Sequence, residues 1–377
     1  MPIPVKLFTG LFIFSIFGCA SSQEKTEMDS ADVISPSEEN KAETDAEGDS
    51  DDASDEEDLS ETWPKTWDDI ALRYEFTCPT SPFELKEQTD LDLKGQQFTA
   101  LGSSLALKTK LKKGPLHIGV VGSLKDASAK TRKNLKKSIR IFKKKGVSFI
   151  VANGDLAEDE DLSDVLTMLG EESPFPVFAF PGNIEWTGAF NHAIEKVQKT
   201  HPHVVSMNWV RHVAYGDFHL FSVPGYNNSR FMRSGACRYT KQHVEELAPL
   251  VQKAQASGGT VIITSHGPPK SRGEKGIDVA EGAGNVGSED LAEFIEQHQI
   301  RYGIFSHILE AGGRATSNLP SGDVVKFPMK KKTEKLYINA GSASSFAWTM
   351  LDGKASYGMV AVFSIYEDGA KASIHRF

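Results

Sequence analysis

Five short apolar runs, each stopping at a polar residue or a glycine, constrain this chain more than any other feature. They are Ile118-Gly-Val-Val121, Val147-Ser-Phe-Ile-Val151, Val177-Phe-Ala-Phe180, Val261-Ile-Ile-Thr264 and Tyr302-Gly-Ile-Phe305, and helix-like stretches separate several of them. Such runs read as buried strands of an α/β protein. In folds of that class ligands collect where strand ends open into loops. Gly154-Asp155, Gly182-Asn183, His266-Gly267-Pro268 and His307 each follow a run. The Asp, the Asn and the two His residues can therefore converge, although they lie far apart in sequence.

Two further pieces complete the pattern: Ser123-Leu124-Lys125 after the first run and Asn339-Ala340-Gly341-Ser342 near the C-terminus. Singly, each piece is weak, since Gly-Asp and Gly-Asn are ordinary turn dipeptides. Taken in order, they resemble the calcineurin-like metallophosphoesterases, whose signature runs D-x-H, G-D, G-N-H-[DE], H and G-H-x-H, each after a strand. The corresponding text here is Ser123-Leu124-Lys125, Gly154-Asp155, Gly182-Asn183-Ile184-Glu185, His266 and Ser306-His307-Ile308-Leu309, from about Leu116 to the C-terminus. The resemblance implies an αββα sandwich over residues 115–377. Leu336 to Asn339, Tyr357 to Ile365 and Ala370 to Phe377 are expected as further strands.

The same resemblance implies a metal site of which half is missing. The family's second metal is held by the positions of Asp155, Asn183, His266 and His307, and all four are present. The first metal needs the positions of Ser123, Lys125, Asp155 and Leu309, where only the shared Asp155 survives. One divalent transition metal is therefore expected. An O/O/N/N set suits Zn, Mn, Fe or Ni without choosing among them. Lys125 cannot ligate while charged, because its ammonium carries three donors and no lone pair. It can instead act as a fixed positive charge beside Asp155. Ile184 replaces the histidine taken to protonate the leaving group, and loss of general-acid help alone costs roughly two to four orders of magnitude in rate. Asp126, Glu185 and Glu310 are the nearby carboxylates that could turn into the vacant half-site. His192, His201, His203 and His219 have no motif context and read as surface or structural residues.

The N-terminus points to export. Residues 1–18 carry a single lysine, Lys6, and an apolar stretch from Leu7 to Phe17, too short to span a bilayer and typical of a signal peptide. Ile16-Phe17-Gly18-Cys19 resembles a bacterial lipobox, with Cys19 as the lipidated residue. This places the protein in the cell envelope, with the membrane as its partner through a lipid anchor at the outer membrane or cell surface. Residues 19–61 form an acidic tether expected to be disordered, with 17 Asp or Glu against Lys25 and Lys41. With −15 in the tether and Lys6 in the signal, a whole-chain charge of −9 leaves +5 for residues 62–377.

Much of the positive charge lies between Lys125 and Lys145, around Leu135, Ile139 and Phe142, whose spacing suits the buried stripe of a helix. A solvated basic face is the default reading, and contact with an anionic membrane surface is the more economical extra role. No nucleic-acid motif accompanies it. Residues 62–114 precede the family match and read as an N-terminal extension, with a short helix around Trp63 to Tyr74 and a strand-like Phe98 to Leu107. Cys78 and Cys237 either form one disulfide, as an oxidising compartment permits, or remain two buried thiols. Two functional expectations follow. One is an anchored binding protein with a metal half-site, an anionic or phosphorylated ligand and weak or no phosphoester hydrolysis. The other is an active mono-metal phosphoesterase in which Lys125 substitutes for the second cation.

Overall fold

Two β-sheets carry the apolar runs. The computed structural model describes residues 66–111 and 113–377; the signal peptide, Cys19, the acidic tether and Trp63 lie outside the described residues. One sheet has six strands, in the order Gly369–Arg376, Met359–Tyr366, Leu116–Val121, Phe149–Asn153, Val177–Phe180 and Val204–Ser206, and the last four run parallel. The other has nine: Thr89–Leu93, Gln96–Leu101, Ser104–Leu107, His212–Tyr215, Phe218–Val223, Thr260–Ser265, Tyr302–Phe305, Leu336–Asn339 and Ala315–Thr316.

Side-chain alternation along the strands assigns each residue to a layer. Phe149, Val151, Phe178 and Phe180 meet Ile262, Ile304 and Ile338 between the sheets. Their neighbours Ile150, Ala152, Val177 and Ala179 turn the other way, onto Leu135, Phe142, Leu166 and Phe190 of the helices Ala129–Lys145, Asp159–Glu172 and Thr187–Gln198. The outer face of the nine-stranded sheet is covered by Ala248–Ala256 and Glu289–Gln297, through Val251, Leu291 and Phe294. The result is the αββα sandwich. Burying each such side chain contributes about 1.5–3 kcal/mol. Gly119 illustrates how closely the layers pack, because a Cβ there would lie 2.9 Å from the Phe142 ring.

The basic helix forms as its sequence dictates. Ser128 Oγ accepts the Thr131 N–H at its start, Gly146 closes it in the left-handed conformation, and Leu135, Ile139 and Phe142 are its buried stripe. The N-terminal segment packs on the domain and also lends three strands to the nine-stranded sheet. Its helix, Trp67–Arg73, is capped reciprocally by Thr66 and Asp69 and buries Ile70 against Phe83, Leu85 and Trp209. Phe98 to Leu107 is a hairpin rather than one strand, and Ser104–Ala106 pair in parallel with His212–Ala214. Phe98, Ala100 and Leu105 thus belong to the inter-sheet core. Cys78 and Cys237 form a disulfide with a Cα–Cα separation of 5.8 Å, tying this segment to the loop after Phe218–Val223.

Candidate metal centre

The strands of both sheets end at one place. Asn153-Gly154-Asp155 follows Phe149–Asn153, Gly182-Asn183 follows Val177–Phe180, His266 follows Thr260–Ser265, and His307 follows Tyr302–Phe305. Two glycines permit the close approach. A Cβ on Gly154 would sit 2.5 Å from His266 Nδ1, and one on Gly182 would sit 2.5 Å from Asp155 Oδ1.

His266 Nε2 is the hub. It lies 3.0 Å from Asp155 Oδ1, 3.1 Å from Asn183 Oδ1 and 3.1 Å from His307 Nδ1. Each partner is oriented from behind. His266 Nδ1 donates to the Asn153 carbonyl at 3.0 Å, which aims Nε2 inward. Asn183 Nδ2 donates to the Phe231 carbonyl at 2.6 Å, which turns its Oδ1 toward the histidine. Burial, then the charge of His266, pushes His307 down to about 3, so its ring is neutral and has a lone pair to give. With the ring proton on Nδ1, His266 Nε2 is itself an acceptor facing three other acceptors, an arrangement that a cation among them would satisfy. Separations near 3 Å also match ligands on one ion, since metal–ligand distances of about 2.1 Å place neighbouring donors roughly 3.0–3.4 Å apart. Among the described residues, Asp155, His266 and His307 form the cluster of acidic and imidazole groups able to hold a metal. These residues fit one divalent cation.

The other half-site does not fit a second. Lys125 Nζ donates to Asp155 Oδ2 at 2.5 Å and so takes the carboxylate edge that the hub leaves free. Ser123 is fully buried and its Oγ has no partner, and Leu309 presents a largely buried apolar side chain. Burial opposes ionisation of Asp155. His266, by charge and hydrogen bond, and then Lys125 and His307 outweigh it and hold the carboxyl well below the usual carboxylate range.

None of the three nearby carboxylates fills the gap. Asp126 Oδ1 accepts the Ser128 N–H at 2.7 Å, and Glu310 accepts the Glu281 N–H at 3.1 Å. Glu185 turns inward, accepting the N–H of Gly182 at 2.8 Å and that of Leu156, so it staples the Asp155 and Asn183 loops together. Burial, then the charge of Asp155, raises its carboxyl to about 7. Ile184 is half-buried and offers no proton. Asn339 braces the His307 loop by donating to the Ile308 carbonyl at 2.9 Å, and Ser342 Oγ reaches the Ser123 carbonyl at 2.9 Å.

Tyr226 is the site residue that sequence reasoning missed. Its ring packs on His307 with centroids 4.1 Å apart, and its hydroxyl is buried without a partner. The available signal was its place in Pro224-Gly225-Tyr226, directly after the strand Phe218–Val223, as for every ligand. Two of the histidines outside the motifs have structural hydrogen bonds. His203 is buried and bonded to the Gly170 carbonyl at 3.1 Å, and His219 Nδ1 lies 2.9 Å from Nε2 of the half-buried His212.

A two-sheet sandwich whose strand ends deliver a carboxylate, an amide and two imidazoles to one point has the fold and the donor set of a phosphoesterase-type centre able to hold a metal. The chain belongs to the calcineurin-like phosphoesterase family, whose model matches residues 116–311. Among solved structures, it is similar to a dimetal phosphatase from Danio rerio, with 13% identity over 70% of this chain and 99% of that chain and a TM-score of 0.45. It is also similar to GAP50, the anchor in the inner membrane complex of Plasmodium, with 15% identity over 70% and 85% and a TM-score of 0.43. No match was found among curated proteins.

Proposed function

We propose that this protein holds one divalent transition metal through Asp155, Asn183, His266 and His307, that Lys125 serves as the fixed cation of the first half-site, and that hydrolysis of phosphoesters is weak or absent. The observation that carries this reading is the Lys125–Asp155 contact of 2.5 Å, a cation already seated on the carboxylate that the two half-sites would share. A metal held by the four ligands would polarise a phosphoryl oxygen as a Lewis acid. Lys125 would add a second positive charge on the other side of Asp155 and so favour an anionic ligand. Ile184 can neither donate a proton to a leaving oxygen nor hydrogen-bond to it, so expulsion of a poor leaving group goes unassisted. By contrast, an ester with a good leaving group needs little such help, and on that class an active mono-metal enzyme is the second reading; the charge of Lys125 supports it. We further propose that lipidation of Cys19 and the acidic tether hold this domain at the bacterial cell envelope, a reading supported by the lipobox-like Ile16-Phe17-Gly18-Cys19.

Elemental mass spectrometry on protein purified without a metal-binding tag tests the site, with wild type beside His266→Ala/His307→Ala. One equivalent of metal that disappears in the double variant is expected. Two equivalents in the wild type would overturn the role given to Lys125, and none would overturn the half-site.

A further inference from the structure

A second gathering of nitrogen groups lies well outside the metal ligands. The helix Ala129–Lys145 covers the outer face of the six-stranded sheet and stops at Lys145. Beside that end a cleft of about 610 Å³ takes in residues of the Leu116–Val121 strand and of the antiparallel pair Met359–Tyr366 and Gly369–Arg376. The register sets its lining. His117 stands opposite Ser364, Ser364 stands opposite Lys371, and Ser373 and His375 follow Lys371 at alternate positions, so all of them share one face. Lys145 closes this polar side, and Phe327 and Met329 form an apolar wall.

No carboxylate is among the lining residues. Asp368, at the turn between the two C-terminal strands, is paired with Lys332. Lys371 Nζ reaches the Lys330 carbonyl at 3.1 Å, and Lys145 has no ion-pair partner among the described residues. Burial, and then the charge of Lys145, holds both His117 and His375 below the ordinary imidazole value. Like charges gathered on a concave wall repel one another and attract counter-ions. Lys ammoniums beside hydroxyl and imidazole groups are a donor set for phosphate, and charge-assisted bonds of this kind are the strong ones.

We infer that this cleft binds a phosphorylated ligand, its phosphate between Lys145 and Lys371 with Ser373, His117 and His375 as hydrogen-bonding partners, and its apolar part against Phe327 and Met329. A phospholipid headgroup and a soluble phosphomonoester share that chemistry.

The test is an NMR titration of the full chain with phenyl phosphate in the His266→Ala/His307→Ala background, which removes the metal ligands. Ring signals of His117 and His375 are assigned by His117→Gln and His375→Gln. Both are expected to shift saturably, and Lys145→Ala/Lys371→Ala is expected to weaken binding on the order of tenfold or more. Lys145→Arg/Lys371→Arg restores it, while Lys110→Ala, exposed and not among the lining residues, changes nothing. Shifts that do not saturate, or a Lys145→Ala/Lys371→Ala variant that binds as tightly as its parent, would overturn the inference. Competition by phosphatidylglycerol vesicles, but not by phosphatidylcholine vesicles, would identify the source as an anionic lipid headgroup; no competition by either would identify a soluble phosphomonoester.

Discussion

Replacing Lys125 with methionine keeps an unbranched chain one atom shorter and removes its charge, leaving Asp155 with fewer cations around it. Breaking a buried ion pair by removing one partner costs about 3–5 kcal/mol. Here the Lys125 side chain keeps 19% of its exposure and Asp155 keeps 5%. The carboxylate also retains His266 Nε2 at 3.0 Å and the Asn183 N–H at 3.2 Å. The expected loss is therefore smaller, about 1–3 kcal/mol. In urea with a chelator at pH 7 this lowers the unfolding midpoint by roughly 0.5–1 M. The pH dependence provides a second signature. A carboxyl held below its unfolded value contributes stability that is complete above about pH 4 and is lost as pH falls through the folded value. The gap between Lys125→Met and wild type should thus be full at pH 7 and shrink below about pH 4. Adding a divalent metal should stabilise the variant more than the wild type, because the ligand carboxylate no longer sits beside a competing cation. An unchanged midpoint at pH 7 in chelator, or a gap that persists undiminished in acid, would refute the assignment of Lys125 as the charge partner of Asp155.

Two other predictions follow from the same geometry. Restoring the family's side chains together, as Ser123→Asp, Lys125→His, Ile184→His and Leu309→His, should add a second metal equivalent and raise phosphodiester hydrolysis at least about 100-fold, since general-acid help alone is worth about 10²–10⁴; a variant that folds and still binds one metal would show that the cleft itself has changed. Burial, followed by the charges of His219 and Lys253, lowers His212 to about 3, so the unfolded chain takes up a proton there near pH 6.5 that the folded chain refuses until about pH 3. Stability should fall by roughly 2 kcal/mol from this group between about pH 6.5 and 4.5, and urea midpoints of His212→Gln should lose that part of the acid slope.

The legible parts of this molecule were those with a period or an order. The apolar runs Val147-Ser-Phe-Ile-Val151 and Val177–Phe180 placed two buried strands, and the spacing of Leu135, Ile139 and Phe142 placed a helix face. Ligands directly after strands could be read because backbone topology brings strand ends together whatever lies between them. The hairpin at Gly102 was harder to see. Gly102-Ser103-Ser104 does interrupt the apolar text from Phe98 to Leu107 as a turn would, but the glycine is needed for another reason as well: a Cβ would come within 2.1 Å of the Phe83 carbonyl, a contact no local pattern reveals. The packing of Tyr226 on His307 and the His212–His219 pair were not legible for a related reason: a ring contact between loops and a cross-strand imidazole pair depend on tertiary placement and register, not on spacing along the chain.

What the sequence suggested about the broken half-site becomes sharper in the backbone. Ser123 has φ of 48° and Lys125 φ of 68°, the same left-handed region as Asp155 at 53° and His307 at 54°. Each such residue costs about 1–2 kcal/mol relative to a right-handed conformation, and among side chains with a Cβ it is Asn, Asp and His that tolerate it best. Ser and Lys have no such tolerance, so neither explains the conformation it adopts. The conformations are those suited to the Asp and His that the family's D-x-H signature would place at these two positions. The loop is held there by others, through the Ser123 N–H on the Gly154 carbonyl at 2.9 Å and Ser342 Oγ on the Ser123 carbonyl. The left-handed backbone at Ser123 and Lys125 is therefore held by these hydrogen bonds and not by the preferences of the two residues. Because Lys125 leaves that backbone bonded to Asp155, the ion pair supports the proposal that this lysine serves as the fixed cation beside the carboxylate.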